Sequence, residues 1–109
     1  MSAAVPWILL IIAGLFEVCW AIGLKYSEGF TKVVPTVFTA VTLLLSMLFL
    51  SKASQSIPIG TAYSVWVGIG ALGAALFAVL FMGEPSSLLR WFFLFLLLIS
   101  VIGLKVTSK

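Results

Sequence analysis

The sequence predicts an all-α fold, an integral membrane protein with four transmembrane helices, and three observations carry that prediction. Of the 109 residues 63% are hydrophobic and 8% charged, whereas soluble domains run about 25% charged. The apolar residues gather into four runs, at about residues 5–24, 33–50, 59–82 and 88–104. Each is near the roughly 20 residues, at about 1.5 Å per residue, that carry a helix across a hydrocarbon core of about 30 Å. Short polar stretches containing Gly, Pro and Ser part the runs, and such residues break helices. A single domain over residues 1–109 accommodates all four.

The first run opens with Pro6, which a first helical turn tolerates. It closes at the turn Lys25–Phe30, where Gly29 is placed for a left-handed cap. In its middle stands Glu17. An ionisable side chain at that depth is costly and by default marks a functional site. Trp20 follows three residues on, and Ala13 and Gly14 lie four and three residues back, so all share one helix face with Glu17. That face is thin-walled, aromatic and acidic, which suits a cation. Cys19, in the same run, reads as a small packing residue, because an apolar setting disfavours the reactive thiolate. The leading MSAAVPW has no positive n-region, and no small-residue cleavage site follows the run. It is expected to be a retained membrane segment rather than a signal peptide.

The second run carries Pro35 in its first turn. Its polar residues Thr39, Thr42 and Ser46 fall on one stripe at i, i+3 and i+7. Two readings stay open for the threonines: their hydroxyls bond back to their own helix, or they face a polar site. Ser46 is the stronger site candidate. Ser51–Pro58 resembles a soluble loop. In the third run Tyr63, Trp66, Gly70 and Gly73 share a face, and Gly60, Gly68, Gly70 and Gly73 fall within fourteen residues. Small residues let membrane helices approach closely, and Gly68-Ile69-Gly70 is a candidate flex point. Tyr63 and Trp66 fit an interfacial aromatic belt or a site; Trp66, about two turns in, lies deeper than a belt. After the turn Gly83–Ser87, where Glu84 is expected to be solvated, the fourth run is almost wholly Leu, Phe and Ile. Arg90 near its start and Lys105 at its end are expected to snorkel to the interface.

With no His and one Cys, metal-ligand clusters, disulfides and Cys–His nucleophile pairs are excluded, and no cofactor loop is visible. The net charge of +3 comes from scattered cations, with no basic patch for nucleic acid. Four short-looped spans place Lys52, Lys105 and Lys109 on one side of the membrane and Lys25, Lys32 and Arg90 on the other. Orientation follows the Lys/Arg imbalance, and here three stand against three. The sequence chooses no orientation.

Over essentially its whole length the chain resembles the small multidrug resistance family of four-helix proton-coupled exporters, and within it the guanidinium-exporter branch. The residues carrying the resemblance are Gly14, Glu17-Val18, Trp20-Ala21 and Leu24-Lys25 in the first helix, with Tyr26-Ser27 and Gly29-Phe30 after it. Pro58 to Tyr63, Val65-Trp66, Gly68 to Ala71 and Gly73-Ala74 follow in the third, and Ile102 to Lys105 in the fourth. The quaternary-ammonium branch usually has glycine where this chain has Trp20, so that residue decides the branch. The resemblance implies a multi-pass protein of the bacterial plasma (inner) membrane, assembled as an antiparallel, dual-topology homodimer. Both Glu17 copies would build one shared site, surrounded by Trp20, Ser46, Tyr63 and Trp66. Val67 departs from the family, which usually has Thr or Ser there, and Ser64 stands where Ala is common.

The chemistry also follows from the residues. Guanidinium is planar, and a carboxylate accepts its fork of N–H donors bidentately. Its flat face stacks on an indole, and it sheds water more readily than an ammonium ion. A buried carboxylate can hold either a proton or a cation, and two nearby copies titrate as one coupled unit. The expected function is therefore exchange of protons for guanidinium or small guanidinyl cations across the bilayer. A broad exporter of quaternary ammonium compounds and a non-transporting accessory protein are the alternatives. No nucleophile–base pair supports an enzyme.

Overall fold

The computed structural model describes residues 4–107; the first three residues of the N-terminal segment, and Lys109 of the charge count, lie outside them. Four α-helices span this stretch: α1 (Ala4–Tyr26), α2 (Val33–Ser54), α3 (Ile59–Phe81) and α4 (Leu88–Thr107). All four are long and apolar enough to cross a membrane, so the molecule is a multi-pass membrane protein.

Each helix end has a local cause. The α1–α2 turn is held by Ser27, which is fully buried. Its Oγ donates to the Leu24 carbonyl at 2.7 Å and accepts the Phe30 N–H at 3.2 Å. Gly29 is left-handed (φ 75°) as expected, but Glu28 and Phe30 flank it with φ of 48° and 69°, so the whole turn is left-handed. Lys32 pairs with Glu28 at 3.5 Å. α2 runs to Ser54, through half of the stretch expected to be a loop. The reason is burial: Ala53 and Ile57 enter the core, and a helical Ala53 turns its methyl inward while Lys52 and Ser51 stay outside. Gly83 (φ 73°) turns the chain after α3, and the Glu84 N–H reaches the Ala78 carbonyl at 3.2 Å. Ser87 caps α4 by accepting the Arg90 N–H at 3.1 Å. α4 continues past Leu104 to Thr107, whose hydroxyl donates to the Gly103 carbonyl at 2.7 Å.

Glu84 is exposed, as expected, and it also pairs with Arg90. Arg90 Nη2 meets Glu84 Oε1 at 2.8 Å and Nη1 donates to the Pro85 carbonyl at 3.2 Å, which folds the α3–α4 turn back on itself.

The core sits among α1, α2 and α3, built on Leu10, Ala13, Leu50, Ala53, Ile57, Ala62, Val65 and Trp66. α4 leans on α3 alone in the backbone packing and buries none of its own residues. Its side chains reach farther: Lys105 Nζ lies 5.1 Å from the centroid of the Trp7 ring on α1. The molecule measures 42 × 35 × 18 Å, so its thinnest dimension is less than two helix diameters of about 10–12 Å. Small residues set the closest approaches. A Cβ at Gly14 would come 2.6 Å from Ile69 Cγ2, one at Gly73 would strike Val18, and one at Gly68 would strike Val101 of α4. α3 is one unbroken helix through Gly68, Gly70 and Gly73.

Candidate functional site

Glu17 rides the middle of α1, half-buried, and its carboxylate lies against the backbone of α3. A Cβ at Gly70 would meet Glu17 Cδ, and would come within 2.6 Å of Oε1 and 2.7 Å of Cγ. Gly70 is therefore the surface the carboxyl rests on. Sequence periodicity placed Gly70 among the flexing and packing glycines, and the contact with Glu17 escapes it because only the register between two helices reveals it.

Among the described residues, the buried side-chain polar atoms without a hydrogen-bond partner are Glu17 Oε2, Trp20 Nε1 and Thr36 Oγ1. Buried polar groups are nearly always paired, and an unpaired one costs about 1–3 kcal/mol. Two of these three atoms sit one turn apart on a single helix: an acceptor on Glu17 and a donor on Trp20.

Beside them runs a fully paired network. Ser46 is completely buried; its Oγ donates to the Ala13 carbonyl of α1 at 2.7 Å and accepts the Trp66 Nε1–H of α3 at 2.9 Å. In a regular helix the Ala13 carbonyl is also the acceptor for the Glu17 amide. Ser46 thus ties α2 and α3 to the turn that carries Glu17. Trp66 is only 6% exposed, so it is a core residue and not part of an interfacial belt. Tyr63 is 54% exposed, and its ring centroid lies 5.4 Å from that of Trp66 at a tilt of 51°.

The threonines divide from Ser46. Thr39 Oγ1 donates to the Pro35 carbonyl and Thr42 Oγ1 to the Phe38 carbonyl, both at 2.7 Å. Of the two open readings, the bond back to the helix is the one observed. Ser64 does the same, donating to the Gly60 carbonyl at 2.7 Å, and Val67 next to Trp66 is exposed. Phe16, beside Glu17, stacks on Phe49 of α2 with centroids 5.7 Å apart. No group of three or more His, Cys, Asp or Glu side chains able to hold a metal occurs among the described residues.

Comparison with known proteins matches residues 5–97 to the family model described as Small Multidrug Resistance protein. The chain is 51% identical over 102 residues to a guanidinium exporter of Yersinia pseudotuberculosis, covering 94% of this chain and 98% of that one. It is 47% identical over 102 residues to a guanidinium exporter of Escherichia coli, and 49% identical over the same length to one of Citrobacter freundii. Both alignments cover 94% of this chain and 97% of the relative.

Proposed function

The chain belongs to the small multidrug resistance family, and from that premise we propose that it exports guanidinium or a small guanidinyl cation in exchange for protons bound at Glu17. The single observation that carries the reading is the pair of unpartnered buried atoms, Glu17 Oε2 and Trp20 Nε1. A buried acceptor calls for donors. Guanidinium supplies six N–H donors in one plane, paired into forks, whereas a quaternary ammonium ion has no N–H at all and would leave Oε2 unpaired. The indole N–H has nothing to accept it on guanidinium. Trp20 therefore serves the cation through its ring face, and its N–H is left for a carboxylate oxygen. The names carried by the relatives point the same way.

Exchange follows from competition for one carboxylate. A proton on Glu17 removes the charge that the cation needs, and a bound cation opposes protonation. If the site changes sides when proton-bound or cation-bound, and rarely when empty, a proton gradient drives the cation uphill. The site is proposed to be shared by two copies of the chain in antiparallel, dual-topology arrangement, in the bacterial inner membrane. Support comes from the three-against-three Lys/Arg count, from the thin slab shape, and from an α4 that buries nothing of its own. Within that site Trp20, Ser46, Tyr63 and Trp66 line or brace the cation, Ser46 and Trp66 through the bond that fixes the Glu17 turn. No cofactor or metal enters this scheme.

The test is transport by the purified protein in liposomes, guanidinium against a large aromatic quaternary ammonium ion. Guanidinium is expected to drive proton movement, and the quaternary ion to be transported poorly. Transport of the quaternary ion undiminished by guanidinium would replace this reading with the broad-specificity exporter. No substrate-dependent proton flux at all would leave the accessory-protein reading.

A further inference from the structure

We propose that the groove between α1 and α2 seats an acyl chain of an anionic phospholipid, with its headgroup on Lys52. The groove is walled by Leu9, Leu45, Leu48 and Phe49, encloses about 310 Å³, and has Lys52 at its end. From Leu45 to Lys52 is about 10 Å along the helix, two thirds of the roughly 15 Å depth of one leaflet's hydrocarbon. An acyl chain lying in it puts its headgroup at the level of the ammonium.

Charge distribution decides which lipid. The helix contacts run Gly23 to Thr39, Ala13 to Ser46, and Gly68 to Val101, so successive helices alternate in direction. The ends of α2 and α4 therefore share one face of the membrane. On that face the charged side chains among the described residues are Lys52 and Lys105, with no acid near them. At the opposite face Glu28 and Glu84 each pair with a cation. Lys105 is engaged over the Trp7 ring, while Lys52 makes no ion pair or side-chain hydrogen bond among the described residues. A lysine without a counter-ion at the mouth of an apolar groove complements a phosphate with a net negative headgroup. A zwitterionic lipid brings its own cation and gains less. Two other apolar grooves, one lined by Leu72, Leu76 and Trp91 and one by Ile11, Leu15 and Ile69, carry no charged residue.

The experiment is lipid retention, read by native mass spectrometry after purification from nanodiscs of phosphatidylglycerol and phosphatidylcholine in equal parts. The wild-type protein is expected to keep phosphatidylglycerol over phosphatidylcholine about fivefold, the worth of one lysine at an anionic surface. Lys52→Gln should bring the ratio close to one, and Lys105→Gln should leave it unchanged. Leu48→Trp, at an exposed position, should fill the groove and lower retention of both lipids. Equal retention by the wild type, a preference that survives Lys52→Gln, or equal losses from Lys52→Gln and Lys105→Gln would each overturn the proposal. A copy-to-copy cross-link through Leu48→Cys with lipid excluded would also overturn it, assigning the groove to a second chain. No guanidinium or proton gradient is used, so failure here is separate from failure of the transport reading.

Discussion

Glu17 differs from the other two acidic residues in what surrounds it. Glu28 and Glu84 lie in turns, each beside a cation, and such exposed pairs contribute at most about 1 kcal/mol. Glu17 lies against the backbone of α3, and its buried Oε2 has no hydrogen-bond partner. Glu17→Asp keeps the acid but draws it back by a methylene, away from Gly70. It should slow guanidinium transport and shift its pH dependence without abolishing either, measured as initial rates in liposomes across a pH series. Trp20→Gly removes the ring face proposed for the cation. A desolvated cation–π contact is worth about 2 kcal/mol, or more than tenfold in affinity, so guanidinium binding should weaken by at least that factor while the folded protein persists. Unchanged guanidinium affinity in Trp20→Gly would show that the indole does not meet the substrate.

The helices could be read from composition and run length, because spans of apolar residues need no partner to be recognised. Their mutual register could not. Thr39, Thr42 and Ser46 are equivalent by spacing, yet among them only the Ser46 hydroxyl hydrogen-bonds to another helix, at the Ala13 carbonyl. Ser46→Ala should cost about 1–3 kcal/mol of stability, because Trp66 Nε1 is left buried without an acceptor. Thr42→Val should cost less than Ser46→Ala, since only bonds within its own helix are lost and no partner on another helix is left unpaired. Thermal unfolding in detergent separates the two. The glycines divide in the same way. At Gly70 a methyl meets the far end of the flexible Glu17 side chain, but at Gly73 and Gly14 it meets the stiff, branched Val18 and Ile69. Gly70→Ala should therefore displace the carboxylate and weaken guanidinium binding about tenfold with little loss of stability. Gly73→Ala should force α1 and α3 apart and cost about 1–3 kcal/mol. The extension of α2 through Ser54 was equally hidden, because Ser51 and Lys52 look like loop residues until Ala53 is seen in the core.

For the whole molecule, the proposed insertion in two orientations rests on the balanced Lys/Arg count, and the proposed pairing of two copies on the exposed faces of a thin, four-helix slab. The pairing of Glu28 and Glu84 with cations does not upset the balance, because orientation follows Lys and Arg rather than net charge. Two lysines added after Lys109 should bias the chain to one orientation and reduce activity, and coexpression with an oppositely biased copy should restore it. An impermeant label that finds the unmodified C-terminus on one side only would exclude the antiparallel pair. The central claim, that cation and proton share Glu17, is tested most directly by proton release on adding guanidinium to detergent-solubilised protein across a pH series. The expected result is release that is largest where Glu17 is partly protonated, cation binding that weakens as the pH falls, and loss of both in Glu17→Gln. Pronounced, pH-dependent release that persists in Glu17→Gln would place the exchanged proton elsewhere and contradict the account.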